Sequence, residues 1–571
     1  MKFILGGQPK VVNSSNLLAV LISWLLAGYI SWILGIGTYV LFSGSHPTKN
    51  NQPFIFHLLL GFATIIFLAH IWSLFFKVGW ILLVILGLLA ILVKWKVQVV
   101  LPRPSKSDFY IYLPLIIISL LLSIGAPNNI DEAGYYLPTV RWMEDYPATQ
   151  GISLLIARLG FNSGFHMLSA TFSLKHLFPG GVYELNGFLF LCTNGYLWKQ
   201  TILQLINSNS HKLPTIFLLA LLFPFSFLVP SMDTDYLSIF GSLLVIGWCI
   251  QTLFLEEKIS HAKFLALSWI LGMLCTVKFI TILVLIPFAI TLLIYKKRPL
   301  FLKACLLIAV AILPWIFRNI LISGYTIFPI YQIDLWEVPW KMPYEMVKAS
   351  QSIVNEYAKV EIIRDDYLLS GIKQWSLKSW IPIWTNNQSQ YLIGLATIFL
   401  TPLSFLVGLV LMIIYRPKHL LLHKQFRWLW ICFTAILIFW FLNFPAIRFG
   451  WPWILSYGSI TIYYFLHWLK AHWPSYIYKL LFLLVLASWI RLSLNSVLHN
   501  IPHIQSKLIL HELHVNQSRY TTKTVGVVEF NIAQDNYCNG ISLPCMPANN
   551  PYLVIPAGNS ITDGFRIDES Y

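Results

Sequence analysis

The chain has 571 residues, 57% of them hydrophobic and only 11% charged, with a mean hydropathy of +0.69. Soluble domains carry roughly 25% charged residues, so the composition excludes an ordinary soluble protein and predicts an all-α polytopic membrane protein. The net charge of +16 does not imply nucleic-acid binding, because Lys and Arg are dispersed in short loops between apolar runs, as the positive-inside rule expects.

Apolar segments that cross, or nearly cross, a bilayer lie near 17–41, 54–76, 78–93, 109–125, 182–198, 213–230, 236–255, 264–277, 279–295, 300–322, 391–415, 428–443, 451–467 and 477–493. Several are shorter than the roughly 20 residues of an upright span, so the expected count is about 12–14 transmembrane helices. Segment 17–41 is too long for the apolar core of a signal peptide and is expected to insert the chain by itself. Basic clusters follow at Lys94, Lys96, Arg103 and Lys106, at Lys296, Lys297 and Arg298, and at Arg416, Lys418, Lys424 and Arg427. Placing these in the cytoplasm agrees with segment parity. It puts 126–181, 231–235, 323–390, 444–450 and the tail 494–571 outside. Three spans before the first basic loop place the N-terminus outside too, whereas Lys2 and Lys10 favour the inside; a re-entrant 78–93 would reverse that end. No internal repeat is evident, which disfavours a two-halves transporter. The expected organisation is 1–108, N-terminal spans and a basic loop; 109–322, a membrane core holding the outer loop 126–181; 323–390, an aromatic-rich outer loop; 391–493, C-terminal spans; and 494–571, a small outer appendage.

The first outer loop opens with Asp131-Glu132-Ala133-Gly134-Tyr135. Adjacent carboxylates at a bilayer face are costly to desolvate, so they need water, a partner or a chemical role. Asp131 also suits a helix cap, a role compatible with catalysis, and Pro138 suits the start of a helical run. The stretch Gly151–Phe178, with Arg158, His166 and Lys175 at intervals, is expected to form helices lying in the interface. His166 is either a proton shuttle or a structural histidine.

Asp233 and Asp235 form a second acidic site, read either as a cap of segment 236–255 or as ligands for Mg or Mn. Lys278 interrupts the apolar run 264–295. An ammonium at the bilayer centre costs about 2.5–3.5 kcal/mol on insertion scales, which a tight hairpin at the outer surface avoids. Arg318 and Arg448 fall at the outer ends of other spans, where they either snorkel or hold a phosphate. Trp336, Trp340, Trp375, Trp380 and Trp384 belong to an aromatic belt or line a sugar-stacking cleft.

Cys192, Cys249, Cys275, Cys305 and Cys432 lie in apolar segments and read as small buried hydrophobes. Cys538 and Cys545 lie close together in the polar tail and suit a disulfide if the tail faces an oxidising compartment; a metal site there lacks further ligands. Thr524–Phe530 reads as a strand. Walker, dinucleotide-binding and zinc patterns are missing from the sequence.

The acidic pentapeptide, continuing to Arg141-Trp142-Met143-Glu144, resembles the first outer loop of GT-C glycosyltransferases, the superfamily of protein O-mannosyltransferases and aminoarabinose transferases of lipid A. More closely, Asp131 to Tyr136, Arg141-Trp142 and Arg158-Leu159-Gly160-Phe161-Asn162-Ser163 resemble a bacterial family of polytopic membrane proteins found with surface-polysaccharide genes. So do Pro314-Trp315, Arg318-Asn319, Ser323-Gly324-Tyr325, Pro329, Pro445, Arg448-Phe449-Gly450, Cys538, Pro544-Cys545 and Gly564-Phe565-Arg566.

The resemblance implies a GT-C-like fold in the bacterial inner membrane and inverting sugar transfer on the periplasmic face. The donor would be a polyprenyl-phosphate-linked sugar and the acceptor a glycan, lipid or protein, among membrane lipids. Asp131 takes the acidic position of the superfamily and is the expected base, with Glu132 assisting or holding a metal. Lys278, Arg318 and Arg448 are the expected cations for the departing phosphate. Tyr135, Tyr136, Arg141, Arg158, Asn162 and His166 are candidate substrate contacts. No cofactor is assigned beyond possible Mg or Mn. Two alternatives stand beside this reading: an O-antigen-type polysaccharide polymerase that depends on outer arginines, and a flippase or transporter of lipid-linked glycans.

Overall fold

A computed structural model describes residues 17–44, 52–99, 106–125, 127, 131–178, 180–206, 221, 224–255, 260–295, 297–360, 376–414, 420–469, 475–501 and 519–568. It is mostly helical, with eight helices among the described residues long and apolar enough to cross a membrane and three shorter apolar ones, Asp108–Ser123, His261–Val277 and Phe279–Ile294. This is the architecture of an integral membrane protein. The apolar runs read from the sequence correspond to helices throughout, except that 213–230 lies mainly outside the described residues.

Two helices that open the chain, Leu17–Ser43 and Phe54–Ser73, pack backbone to backbone. A Cβ added at Gly61 would sit 1.7 Å from the Ser31 carbonyl oxygen, and one at Gly35 would sit 1.8 Å from that of His57. Small residues at such crossings replace the hydrophobic driving force that lipid removes. Asp235–Leu255 lies at the centre, 94% of its apolar stretch being buried, whereas Trp80–Val97, Leu392–Ile414 and Ser475–His499 line the outside with only 17% buried.

The two ends of the bundle differ chemically. At one end Tyr295 and Gln425 bond to the carbonyls of Thr252 and Leu253, beside the basic segments. At the other, Ser23 and Trp24 bond to the carbonyls of Phe172 and Glu184. The turn after Phe54–Ser73 is tied to the acidic loop there by Val78 N–H to Met143 O, 2.7 Å. Trp80–Val97 is a single helix of 18 residues. Residue 17 therefore shares an end with the acidic loop, as three successive crossings require.

A second hydrophobic core at that end gathers Trp142, Leu154, Tyr325, Phe328, Phe530 and Phe565 from the first loop, the 323–346 loop and the tail. The tail is a small β appendage. β1 (Tyr520–Val525) and β2 (Val528–Ala533) are antiparallel, β3 (Cys545–Pro547) runs parallel to β2, and β4 (Val554–Pro556) pairs with β5 (Phe565–Ile567). The expected strand 524–530 is instead a hairpin turning at Gly526, φ +63°, because only glycine takes that conformation without strain. Cys538 and Cys545 form the disulfide.

Three further expectations change. Gly151–Phe178 does not lie on an interface: it folds as short 3-10 turns and a helix, Gly164–Phe172, whose nine residues are all buried in the protein. Trp380 and Trp384 are buried against Phe441 rather than open to a sugar, while Trp375 lies outside the described residues. Cys305 is exposed on the outer face of Arg298–Ser323, unlike the other four apolar-segment cysteines.

Candidate functional site

The acidic pentapeptide forms one π-turn, Glu132–Tyr136, that leads into the helix Leu137–Asp145. Leu137 N–H reaches back five residues to Glu132 O, and Pro138 has no N–H to offer Gly134, so an ordinary α-turn cannot close there. Such turns recur at functional sites. Here it sends the adjacent carboxylates in opposite directions.

Asp131 faces outward and is held by Arg158 at 2.5 Å. The Arg158 guanidinium also lies 5.5 Å from the centre of the Tyr135 ring. Glu132 faces inward and is fully buried, its Oε2 accepting the Met232 N–H at 2.9 Å. Burial, with the charges of Asp233, Glu184 and Asp131 nearby, pushes its carboxyl up to about 8 against the opposing pull of that hydrogen bond. Glu132 is therefore protonated at neutral pH.

The loop 231–235 is fixed from below by Asn186, whose amide donates to the carbonyls of Ser231 and Asp233 at 2.7 and 2.8 Å. Asp233 caps the helix Asp235–Leu255 by accepting the Asp235 N–H at 2.8 Å. Burial and the neighbouring Asp235 charge raise its carboxyl above the usual range. Asp235 receives both Lys278 and Arg448, the latter at 3.1 Å. Lys278 follows the helix His261–Val277 in extended conformation and so breaks the apolar run, as its charge demands. Phe449 lies beneath both cations, 4.2 Å from the Lys278 ammonium and 5.3 Å from the Arg448 guanidinium.

Arg448 is also within Coulombic reach of Asp233, Tyr136 and Asp131, which brings the two ion-pair groups within electrostatic reach of one another as one candidate cleft. Asp131, Arg158, Lys278 and Arg448 keep between 19% and 35% of their side-chain surface open, while Glu132, Asp233, Asp235, Tyr136 and His166 form a buried floor.

The other expected site residues fall elsewhere. Arg318 is buried and does not join Lys278 and Arg448; it donates to Asn162 Oδ1 at 2.9 Å, and Asn162 bonds onward to Asn319 at 2.8 Å. Asn162 has φ +44° and braces the loop, which leaves it no free group to offer a substrate. Arg141 donates to Ile541 O at 3.3 Å and fastens the appendage. His166 packs on Tyr136 and contacts Met232 O at 3.3 Å; burial lowers its pKa to about 4, which favours the neutral ring. In this structure Asp233 serves as a cap and Asp235 as an ion-pair partner. Among the described residues no group of three or more His, Cys, Asp or Glu is placed to hold a metal ion.

Asn186, Glu184 and Tyr537 were missed from the sequence. Polar residues inside the apolar segment 182–198 were the available signal for Asn186. Tyr537 carried none: its ring lies 3.9 Å from where a Cβ on Gly134 would be, and nothing in the spacing of the two residues announces that approach.

Over residues 17–455 the chain matches the model of a family described as a domain of unknown function (DUF8201), and it belongs to that family. The match contains every residue of the cleft and leaves the appendage outside. No curated protein and no solved structure matches the chain.

Proposed function

We propose that this family member is a membrane glycosyltransferase of GT-C type, moving a sugar from a polyprenyl-phosphate donor to a glycan, lipid or protein acceptor at the outer face of a bacterial inner membrane. An acceptor hydroxyl attacks the anomeric carbon from the side opposite the phosphate. Its proton passes to the Asp131 carboxylate as the new C–O bond forms and the bond to the phosphate oxygen breaks, with inversion. The departing polyprenyl phosphate gains negative charge, which Lys278 and Arg448 stabilise. Both cations are held in place for that purpose by the Asp235 carboxylate.

The observation that supports this reading is the placing of an outward-facing carboxylate within electrostatic reach of the paired cations Lys278 and Arg448 at the end of an apolar bundle. Glu132, neutral and inward, is a positioning group that holds Met232 and the 231–235 loop. The deciding assay uses purified protein in vesicles with synthetic polyprenyl-phosphate sugars. Asp131→Asn is expected to lower turnover by about 10²–10⁴, the range of general base catalysis, with unchanged membrane insertion. Full turnover in that variant overturns the reading; silence in Arg448→Ala alone points to an arginine-dependent polymerase.

A further inference from the structure

At the same end of the bundle, but apart from the cleft, a cavity of about 240 Å³ opens between the turn after Phe54–Ser73 and the loop after Gly164–Phe172. Its floor carries Glu144 and Asp145. Glu144 is buried and accepts the Tyr183 hydroxyl at 3.1 Å. Both carboxylates share one ammonium, that of Lys175, at 3.4 and 2.7 Å. Burial, only partly offset by Lys175, holds the Glu144 carboxyl above its usual range, while Asp145 keeps 43% of its side-chain surface open to a further donor. At the rim stand Lys77 and His176, both exposed and in no ion pair among the described residues.

The mouth opens beside Trp80 and Ile81, which are exposed on the first turn of Trp80–Val97. That helix is apolar and buries little of its surface in the protein, so its outer face meets acyl chains and its first turn lies at headgroup depth. The volume is below the roughly 300–1,000 Å³ of drug-sized pockets. It suits a headgroup and is too small for an oligosaccharide.

We propose that this cavity binds the headgroup of an aminophospholipid, with the ammonium at Glu144 and Asp145, the phosphate at Lys77 and His176, and the chains along Trp80 and Ile81. A primary ammonium brings three N–H donors to the two carboxylates. A choline group brings none, and a glycerol headgroup brings no positive charge. The site does not depend on the glycosyltransferase reading.

Native mass spectrometry of the full-length protein, titrated in detergent with phosphatidylethanolamine, phosphatidylcholine and phosphatidylglycerol of matched chains, tests this. Phosphatidylethanolamine is expected to be retained about tenfold over either competitor, the ratio one charge-assisted hydrogen bond supplies. Asp145→Asn is expected to bring it down to the phosphatidylglycerol level, and the double variant Lys77→Ala/His176→Ala to weaken its retention. Equal retention of the three lipids by the wild-type protein means a headgroup-blind annulus and overturns the proposal, whatever the variants do. An ethanolamine preference that survives Asp145→Asn overturns it as well, as does unchanged retention by the Lys77→Ala/His176→Ala variant.

Discussion

Asp131 keeps a fifth of its side-chain surface open beside Arg158, while Glu132, one residue on, is sealed beneath Met232. Proton linkage turns this difference into a measurement. The Glu132 carboxyl is raised from 4.5 to about 8, so the folded protein retains a proton that the unfolded chain releases across that window. Its contribution to stability is complete below about 4.5 and is lost as pH rises towards 8. Glu132→Gln is expected to remove that loss, giving a flatter melting temperature between pH 5 and 8 than the wild type. An unchanged slope would place Glu132 in water and sink the assignment. In the proposed reaction the same variant, which keeps a neutral side chain of equal size, is expected to retain most turnover at pH 7, unlike Asp131→Asn.

At the scale of elements, the charged cluster depends on how a short loop and a closely crossed helix pair are held. Asn186→Ala takes the donor from two buried carbonyls at Ser231 and Asp233. Each unpaired group costs about 1–3 kcal/mol, so the melting temperature is expected to fall, and turnover in the proposed reaction to fall with it as the loop that bears Asp233 and Asp235 loosens. Gly61→Ala is expected to lower the melting temperature by forcing apart Leu17–Ser43 and Phe54–Ser73. Gly87→Ala, where nothing lies within 4 Å of the added carbon, is the control that should not. Equal melting of the two glycine variants would contradict the close crossing. Such elements were only partly legible. Segment 264–295 declared its break at Lys278, since an ammonium inside an apolar run needs an exit. Gly35 and Gly61 gave no comparable signal, because closeness of two backbones is a property of the pair.

Across the whole molecule, the acidic loop, the 323–346 loop and the β appendage share one hydrophobic core. They must therefore lie on the same side of the membrane. Cysteines introduced as Asp131→Cys and Val527→Cys, the latter at an exposed appendage position, are expected to react with an impermeant thiol reagent from the same face. Lys424→Cys, at the basic end, is expected to react only after the membrane is opened. Labelling of the first two from opposite faces would refute the shared core. The Cys538–Cys545 disulfide fits an oxidising compartment on the appendage side.

The order of the spans, the basic ends and the presence of an acidic loop at the opposite end were written in the sequence, because hydropathy and loop charge act locally and each segment is sorted between lipid and water on its own composition. Which charges meet was decided by the fold alone. Asp235 is joined to cations 43 and 213 residues away, Asp131 to one 27 away, and Arg318 is kept from the cleft by Asn162. Ion pairing depends on distance through space and on burial, and neither is a function of spacing along the chain.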